Sequence, residues 1–206
     1  MSFEFLLYIA LWASVFLMTV TVHEYCHGFL ADRLGDSTAR DAGRLSLNPL
    51  KHIDLFWTIL LPALLFISTK GQFMIGMAKP VPVNFLNLRN PKRDMIWVAA
   101  AGPLANLFFA AILAFLFKFF PVPFLLYAVY FNLGLAVFNL IPIPPLDGSR
   151  ILLGLLPPFL GIHYARLEPF GFILVLALYF SGALYAVLIP GIRILSQILG
   201  VPKIEF

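Results

Sequence analysis

Residues Phe5 to His27 read FLLYIALWASVFLMTVTVHEYCH, and this stretch decides the class of fold and points to the chemistry. Phe5 to Val22 carry no charged side chain, and a helix of about 20 apolar residues is enough to cross a bilayer. Then His23, Glu24 and His27 arrive at the spacing i, i+1, i+4. On a helix, His23 and His27 lie one turn apart on the same face, so both imidazoles reach one metal ion. Glu24 stands beside the pair, where it takes a proton from water without being a ligand itself. The alternative is two core histidines on an ordinary helix. Ionisable groups at membrane depth are costly and mark function by default, which favours the metal pair.

Composition agrees with a membrane class. Of the 206 residues, 61% are hydrophobic and 12% charged, against about 25% charged in soluble domains. The mean hydropathy is +0.94. The expected fold is an all-α polytopic membrane protein in one domain over residues 1–206, with a catalytic core at 1–155 and a C-terminal helix and tail at 156–206. The net charge of +4 does not indicate nucleic acid, because the basic residues lie in loops between apolar segments, where they meet lipid head groups. Cys26 is the single cysteine, which excludes an internal disulfide and a cysteine-built zinc site.

About four full spans are expected: Phe3 to Leu30, Met95 to Phe117, Phe119 to Ile141 and Pro169 to Ile192. Leu55 to Ser68 is shorter and carries Pro62. It is flanked by Arg33, Arg40, Arg44 and Lys51 on one side and by Lys70, Lys79, Arg89, Lys92 and Arg93 on the other. Basic loops stay in the cytoplasm, so Leu55 to Ser68 is read as re-entrant or broken, with a short true span as its competitor. The first helix then runs inward, and the helix ending near Ile141 returns inward too. Both bring polar motifs to one depth, on the cytoplasmic side of a multi-pass protein. Met77 to Asn84, with prolines at 80 and 82, is extended in character, a small strand or hairpin near the surface or a simple connector. Arg193 to Phe206 is expected to be an interfacial stretch or a loose tail.

A catalytic zinc has three protein ligands and an open position. After His23 and His27, the candidates for the third are Asp147, His52, His163, Glu168 and the loop aspartates. Asp147 follows a proline-broken helix end in an apolar setting, where an unpaired carboxylate is expensive. Its other reading is a cap for the helix starting near Ser149. His52 and His163 read as interfacial side chains. The rival functions are a divalent-metal transporter and a different membrane zincin with a glutamate ligand, for which Glu168 is the candidate.

The motifs together resemble the site-2 protease family of intramembrane zinc metalloproteases. They are HEYCH at His23 to His27, AGPLAN at Ala101 to Asn106, and NLIPIPPLDG at Asn139 to Gly148. Arg44 to Asp54 and Lys79 to Asn84 resemble a compact bacterial and archaeal branch of that family, without PDZ or CBS domains. The resemblance implies one Zn2+ held by His23, His27 and Asp147, with Glu24 as general base. It implies roles near the metal for Asn139, as a donor to the oxyanion, and for Asn106. It also implies transmembrane protein substrates and a place in a prokaryotic plasma membrane; a homo-oligomer is compatible with the chain. Lys79, Val81, Val83 and Asn84 are read as a segment that pairs with an unwound substrate strand, because a transmembrane helix hides its peptide bonds until it unwinds.

Overall fold

The computed structural model describes residues 3–70, 76 and 78–204. Helix α1 (Phe3–Arg33) carries the HEYCH motif in its last third. It ends where Gly35 takes φ +117, a conformation open to glycine, and turns the chain so that Asp36 N–H caps Ala31 O at 2.9 Å. A short α2 (Thr38–Asp41) and a 3-10 turn (Pro49–His52) lead to a π-helical turn (Leu55–Leu60) that continues as α3 (Leu61–Ser68). Leu55–Ser68 is about 21 Å long at helical rise, too short for a hydrocarbon core of about 30 Å. None of its side chains is buried.

Helix α4 (Pro91–Phe119) is the centre of the bundle. Pro91 occupies its first turn, and the Asp94 carboxylate accepts from Asn90 N–H at 2.9 Å, so the helix start is capped. Small buried residues, Ala99, Gly102, Ala110 and Ala114, let the neighbouring backbones approach it closely. On its outer side Leu104, Phe108 and Phe115 are exposed, as suits a lipid-facing surface. Helix α5 (Pro123–Asn139) runs back along α4 and parallel to α1. Trp12 meets Tyr127, Phe16 meets Phe131, and Asn132 Nδ2 donates to Thr19 Oγ1 at 3.1 Å. That parallel pairing brings His27 and Asn139 to the same end of the bundle.

The proline-rich turn after Asn139 feeds α6 (Asp147–Leu155). Gly148 sits so close to the carbonyls of Leu140 and Ile141 that any Cβ would overlap them, so this turn is tight only because residue 148 is glycine. Gly154 gives α6 a similar close approach to α4 at Lys92 and Ile96. Helix α7 (Pro158–Ala165) and α8 (Gly171–Phe180) follow, joined by a 3-10 turn at Glu168–Phe170. Helix α9 (Ala183–Leu199) packs antiparallel on α5, with Gly191 against Val137 and Tyr130 Oη donating to Pro202 O at 2.8 Å.

Three stretches are long and apolar enough to cross a membrane: Ile9–Arg33, Pro91–Phe119 and Pro158–Phe180. Leu55–Ser68, Pro123–Asn139 and Ala183–Leu199 are shorter apolar helices. The fold is thus the expected all-α membrane architecture, with two differences in its second half. Pro169 to Ile192 is not one span: Gly182 at φ +78 breaks it into α8 and α9. Arg193 to Leu199 is not a loose tail; it completes α9, and Val201 beyond it is buried with Ala110, Val129 and Leu133. No strand occurs among the described residues. Residues 78–84 are irregular, and Met77 of the expected strand or hairpin lies outside the described residues.

Candidate active site

Two helices deliver three donor atoms to one point. His23 Nε2 and His27 Nε2, from adjacent turns of α1, are 3.0 Å apart. Asp147 Oδ2, from the first residue of α6, is 3.1 Å from the first and 3.3 Å from the second. His23 and His27 are buried, and Asp147 is half-buried. Ligand atoms around a tetrahedral zinc at 2.0–2.2 Å are about 3.3 Å apart, so the triad has the size of a zinc site. Its hydrogen bonding agrees. Asp147 Oδ2 has no donor aligned on it, although both imidazoles are close. His27 Nδ1 lies 2.7 Å from Val98 O, which can only accept, so the proton is on Nδ1 and the Nε2 lone pair faces Asp147. A buried carboxylate oxygen beside such nitrogens calls for a cation.

Gly102 of α4 forms the wall behind the triad. A Cβ there would overlap His23 and His27, so the histidine rings occupy the space that a side chain would fill. Asn106, one turn further along α4, is fully buried with its Nδ2 3.1 Å from His23 Nδ1. It lies behind His23 and does not line the cavity, so its contact is with a ligand residue and not with a substrate. Its side-chain amide can face Nδ1 with either end, and the end presented sets which His23 nitrogen carries the proton.

In front of the triad lies a cavity of about 540 Å³ between α1, α4, α5, α6, α8 and the irregular segment after residue 76. Glu24, Asn139, Val81 and Val83 line it together with the triad. Glu24 Oε2 accepts from Val81 N–H at 2.7 Å. Asn139 Nδ2 is spent on its own helix, donating to Leu135 O at 3.0 Å, and must turn to reach into the cavity. Lys79 and Asn84 do not line it. Lys79 N–H donates to His52 O at 2.9 Å, and Asn84 N–H to Asp36 Oδ2 at 2.7 Å, so both are anchors of the segment.

The other sequence candidates lie elsewhere. His52 is buried, not interfacial, with Nε2 2.8 Å from Ser46 O. His163 is exposed, and its Nδ1 is 2.8 Å from Phe159 O within α7. Glu168 is paired with Arg150, and the single metal-sized cluster among the described residues is His23, His27 and Asp147. Val98 O, the partner of His27, is invisible in the sequence, because backbone carbonyls carry no residue signature. Arg44 was equally hidden: it was counted as a loop charge, yet its Nη2 donates to Lys79 O and Pro80 O.

Residues 118–182 match the sequence profile of Peptidase family M50. A protein of Bacillus subtilis (strain 168), named "Putative zinc metalloprotease YwhC", is 36% identical over 182 residues, covering 79% of this chain and 77% of that one. "Putative zinc metalloprotease Rip2" of Mycolicibacterium smegmatis is 34% identical over 190 residues, covering 87% of this chain and 69% of the relative. The protein of that name from Mycobacterium tuberculosis is 32% identical over 187 residues, with the same coverage. No solved structure gives a significant match. A chain that shares this identity across most of its own length and most of its relatives' length, on a helical membrane fold, belongs to peptidase family M50, the site-2 protease family of zinc metalloproteases.

Proposed function

We propose that this zinc metalloprotease cleaves peptide bonds within or near transmembrane helices of membrane-protein substrates, with the metal held by His23, His27 and Asp147 and with Glu24 as general base. The observation that carries the reading is the triad itself: three donor atoms 3.0–3.3 Å apart at one end of apolar helices, beside a carboxylate that lines the same cavity. Zinc bound there supplies a Lewis acid that lowers the pKa of a coordinated water to about 7 and polarises the scissile carbonyl.

The chain's own groups do the rest. Glu24 takes the proton of the attacking water and returns it to the leaving amine. With His23 Nε2 given to the metal, its proton would sit on Nδ1, and the Asn106 amide, turned end for end from the Nδ2 contact, would accept it through Oδ1; Val98 O accepts from His27 Nδ1. Asn139, turned from Leu135 O, donates to the oxyanion. An unwound substrate segment can dock beside Val83. Among the described residues no partner takes Val83 N–H or the Val81 and Val83 carbonyls. The basic residues of the segments flanking Leu55–Ser68 support a cytoplasmic placement of this end of the bundle.

The test is zinc content and cleavage of a model transmembrane substrate, for wild type and Glu24→Gln. One zinc per chain in both, with turnover only in wild type, is expected. Cleavage by Glu24→Gln would remove Glu24 from the role of base. A wild type that binds zinc but carries it across liposome membranes without hydrolysis would favour a transporter.

A further inference from the structure

Glu24 is held from outside its own helix by a backbone group, and that group is itself held by Arg44. Val81 lies between Pro80 and Pro82, so it has the one N–H in this tripeptide, and that N–H donates to Glu24 Oε2 at 2.7 Å. The segment has no ladder of its own to keep this donor in place. Arg44 Nη2 donates to Lys79 O at 2.9 Å and to Pro80 O at 3.3 Å, the two carbonyls immediately before the Val81 nitrogen. Arg44 Nε is buried and makes no hydrogen bond, so the side chain is held here through Nη2. On the far side, Val81 Cγ1 rests on Gly28, one turn beyond Glu24, where a Cβ would come within 2.8 Å. Residues 79–81 are therefore clamped between Arg44 and α1, with the Val81 N–H aimed at the carboxylate.

We propose that Arg44 is a positioning residue for Glu24: by gripping the carbonyls of Lys79 and Pro80 it aims Val81 N–H at Oε2 and leaves the second carboxylate oxygen for the attacking water. This rests on the assignment of Glu24 as the base. A carboxylate free to rotate spends part of its time turned away from the water, and small errors of placement are costly in rate. A charge-assisted hydrogen bond from fixed backbone removes that freedom. Both contacts come from the one nitrogen Nη2, which the rigid planar guanidinium holds in a fixed direction, whereas a lysine ammonium turns freely on its stem.

The experiment uses the full chain in liposomes with a model transmembrane substrate, comparing wild type, Glu24→Gln, Arg44→Gln, Arg44→Lys, Val81→Ala and Val81→Pro. Arg44→Gln and Val81→Pro should keep one zinc and lose about tenfold or more in kcat, with KM changing less than about threefold. Val81→Ala, which keeps the N–H but loses the contact with Gly28, should lose less kcat than Val81→Pro, and Arg44→Lys should fall between wild type and Arg44→Gln. A second readout is independent of turnover. In protein labelled with 15N-valine, the Val81 amide resonance, identified by its loss in Val81→Ala, should shift in the same direction in Glu24→Gln and in Arg44→Gln. Wild-type kcat in Arg44→Gln, or a Val81 resonance moved by Glu24→Gln and unmoved by Arg44→Gln, would overturn the proposal. If Arg44→Gln does not fold, equal kcat in Val81→Ala and Val81→Pro overturns it instead. An inactive Glu24→Gln beside a fully active Arg44→Gln rejects the role of Arg44 alone, whereas an active Glu24→Gln rejects the base.

Discussion

Gly102→Ala adds one methyl group at the wall of the site, and its consequence can be worked from distances. A Cβ at Gly102 lies 2.6 Å from His23 Nε2 and His23 Cε1 and nearer still to His27 Nε2, while ordinary contact begins at 3.4 Å. Relief requires the His23 ring to withdraw by about 0.8 Å and the His27 ring by more, and zinc ligands tolerate about 0.2 Å. Neither ring is free to retreat, because His27 Nδ1 is tied to Val98 O and His23 Nδ1 to Asn106. Loss of one outer partner already costs about 10–100-fold in metal affinity, so displacing two ligands should cost at least about 100-fold. The helix itself should not suffer, since alanine is the better helix former by about 1 kcal/mol. The assay is zinc stoichiometry by mass spectrometry under chelator competition, with helix content and thermal midpoint measured on the same samples. A folded, metal-poor, inactive protein is expected. Full zinc occupancy with wild-type cleavage would mean that the methyl has room, and the arrangement of His23, His27 and Gly102 would be refuted.

Two further predictions concern groups behind the site. Asn106→Leu removes the partner of His23 Nδ1 and should weaken zinc by about 10–100-fold, while Asn106→Asp, which keeps an acceptor, should retain it; equal affinity in the two variants would show that Asn106 only fills space. Asp36 is buried between α1 and the turn before α4, where burial alone would push its carboxyl up. Donors from Thr38, Asn84 and Asn87 outweigh that and hold it below the usual carboxylate range. Because its folded value lies below its unfolded one, its contribution to stability is full above the ordinary carboxylate value of about 4 and is lost as pH falls through the lowered value. Asp36→Asn should therefore cost about 1–3 kcal/mol at neutral pH, with the difference in thermal midpoint closing under acid; a gap that does not change with pH would count against it.

The legible part of the site was the part written in side chains. HEYCH sits on one helix, so the pairing of its two histidines follows from helical periodicity alone, and Asp147 stands out as a carboxylate in apolar surroundings. Asn139 and Asn106 were legible as positions near the metal, but what each touches was not: one is bonded to Leu135 O, the other to His23. Lys79 and Asn84 were grouped with Val81 and Val83 as one substrate edge, yet the first two face the anchoring loops. An irregular segment has no period to read, so its two sides cannot be sorted in advance. His52 was misread for a related reason, since a histidine in a basic loop gives no hint that the loop folds over it.

By itself, the sequence determined the solvent and the chemistry of this protein. Charge-free runs of about 20 residues can be stable only in lipid as helices whose backbone bonds are internal. The spacing of His23, Glu24 and His27 is local, set by 3.6 residues per turn. Tertiary structure alone decided the rest: that α5 lies parallel to α1, that the tight turn at Gly148 swings Asp147 to within 3.1–3.3 Å of both histidines, and that a proline-bounded N–H meets Glu24. The contacts between elements join residues from 57 positions apart, Glu24 and Val81, to 124 apart, His23 and Asp147. They depend on how closely small residues on α4 let helices approach and on which backbone groups face inward, and neither is encoded in any short stretch of the chain.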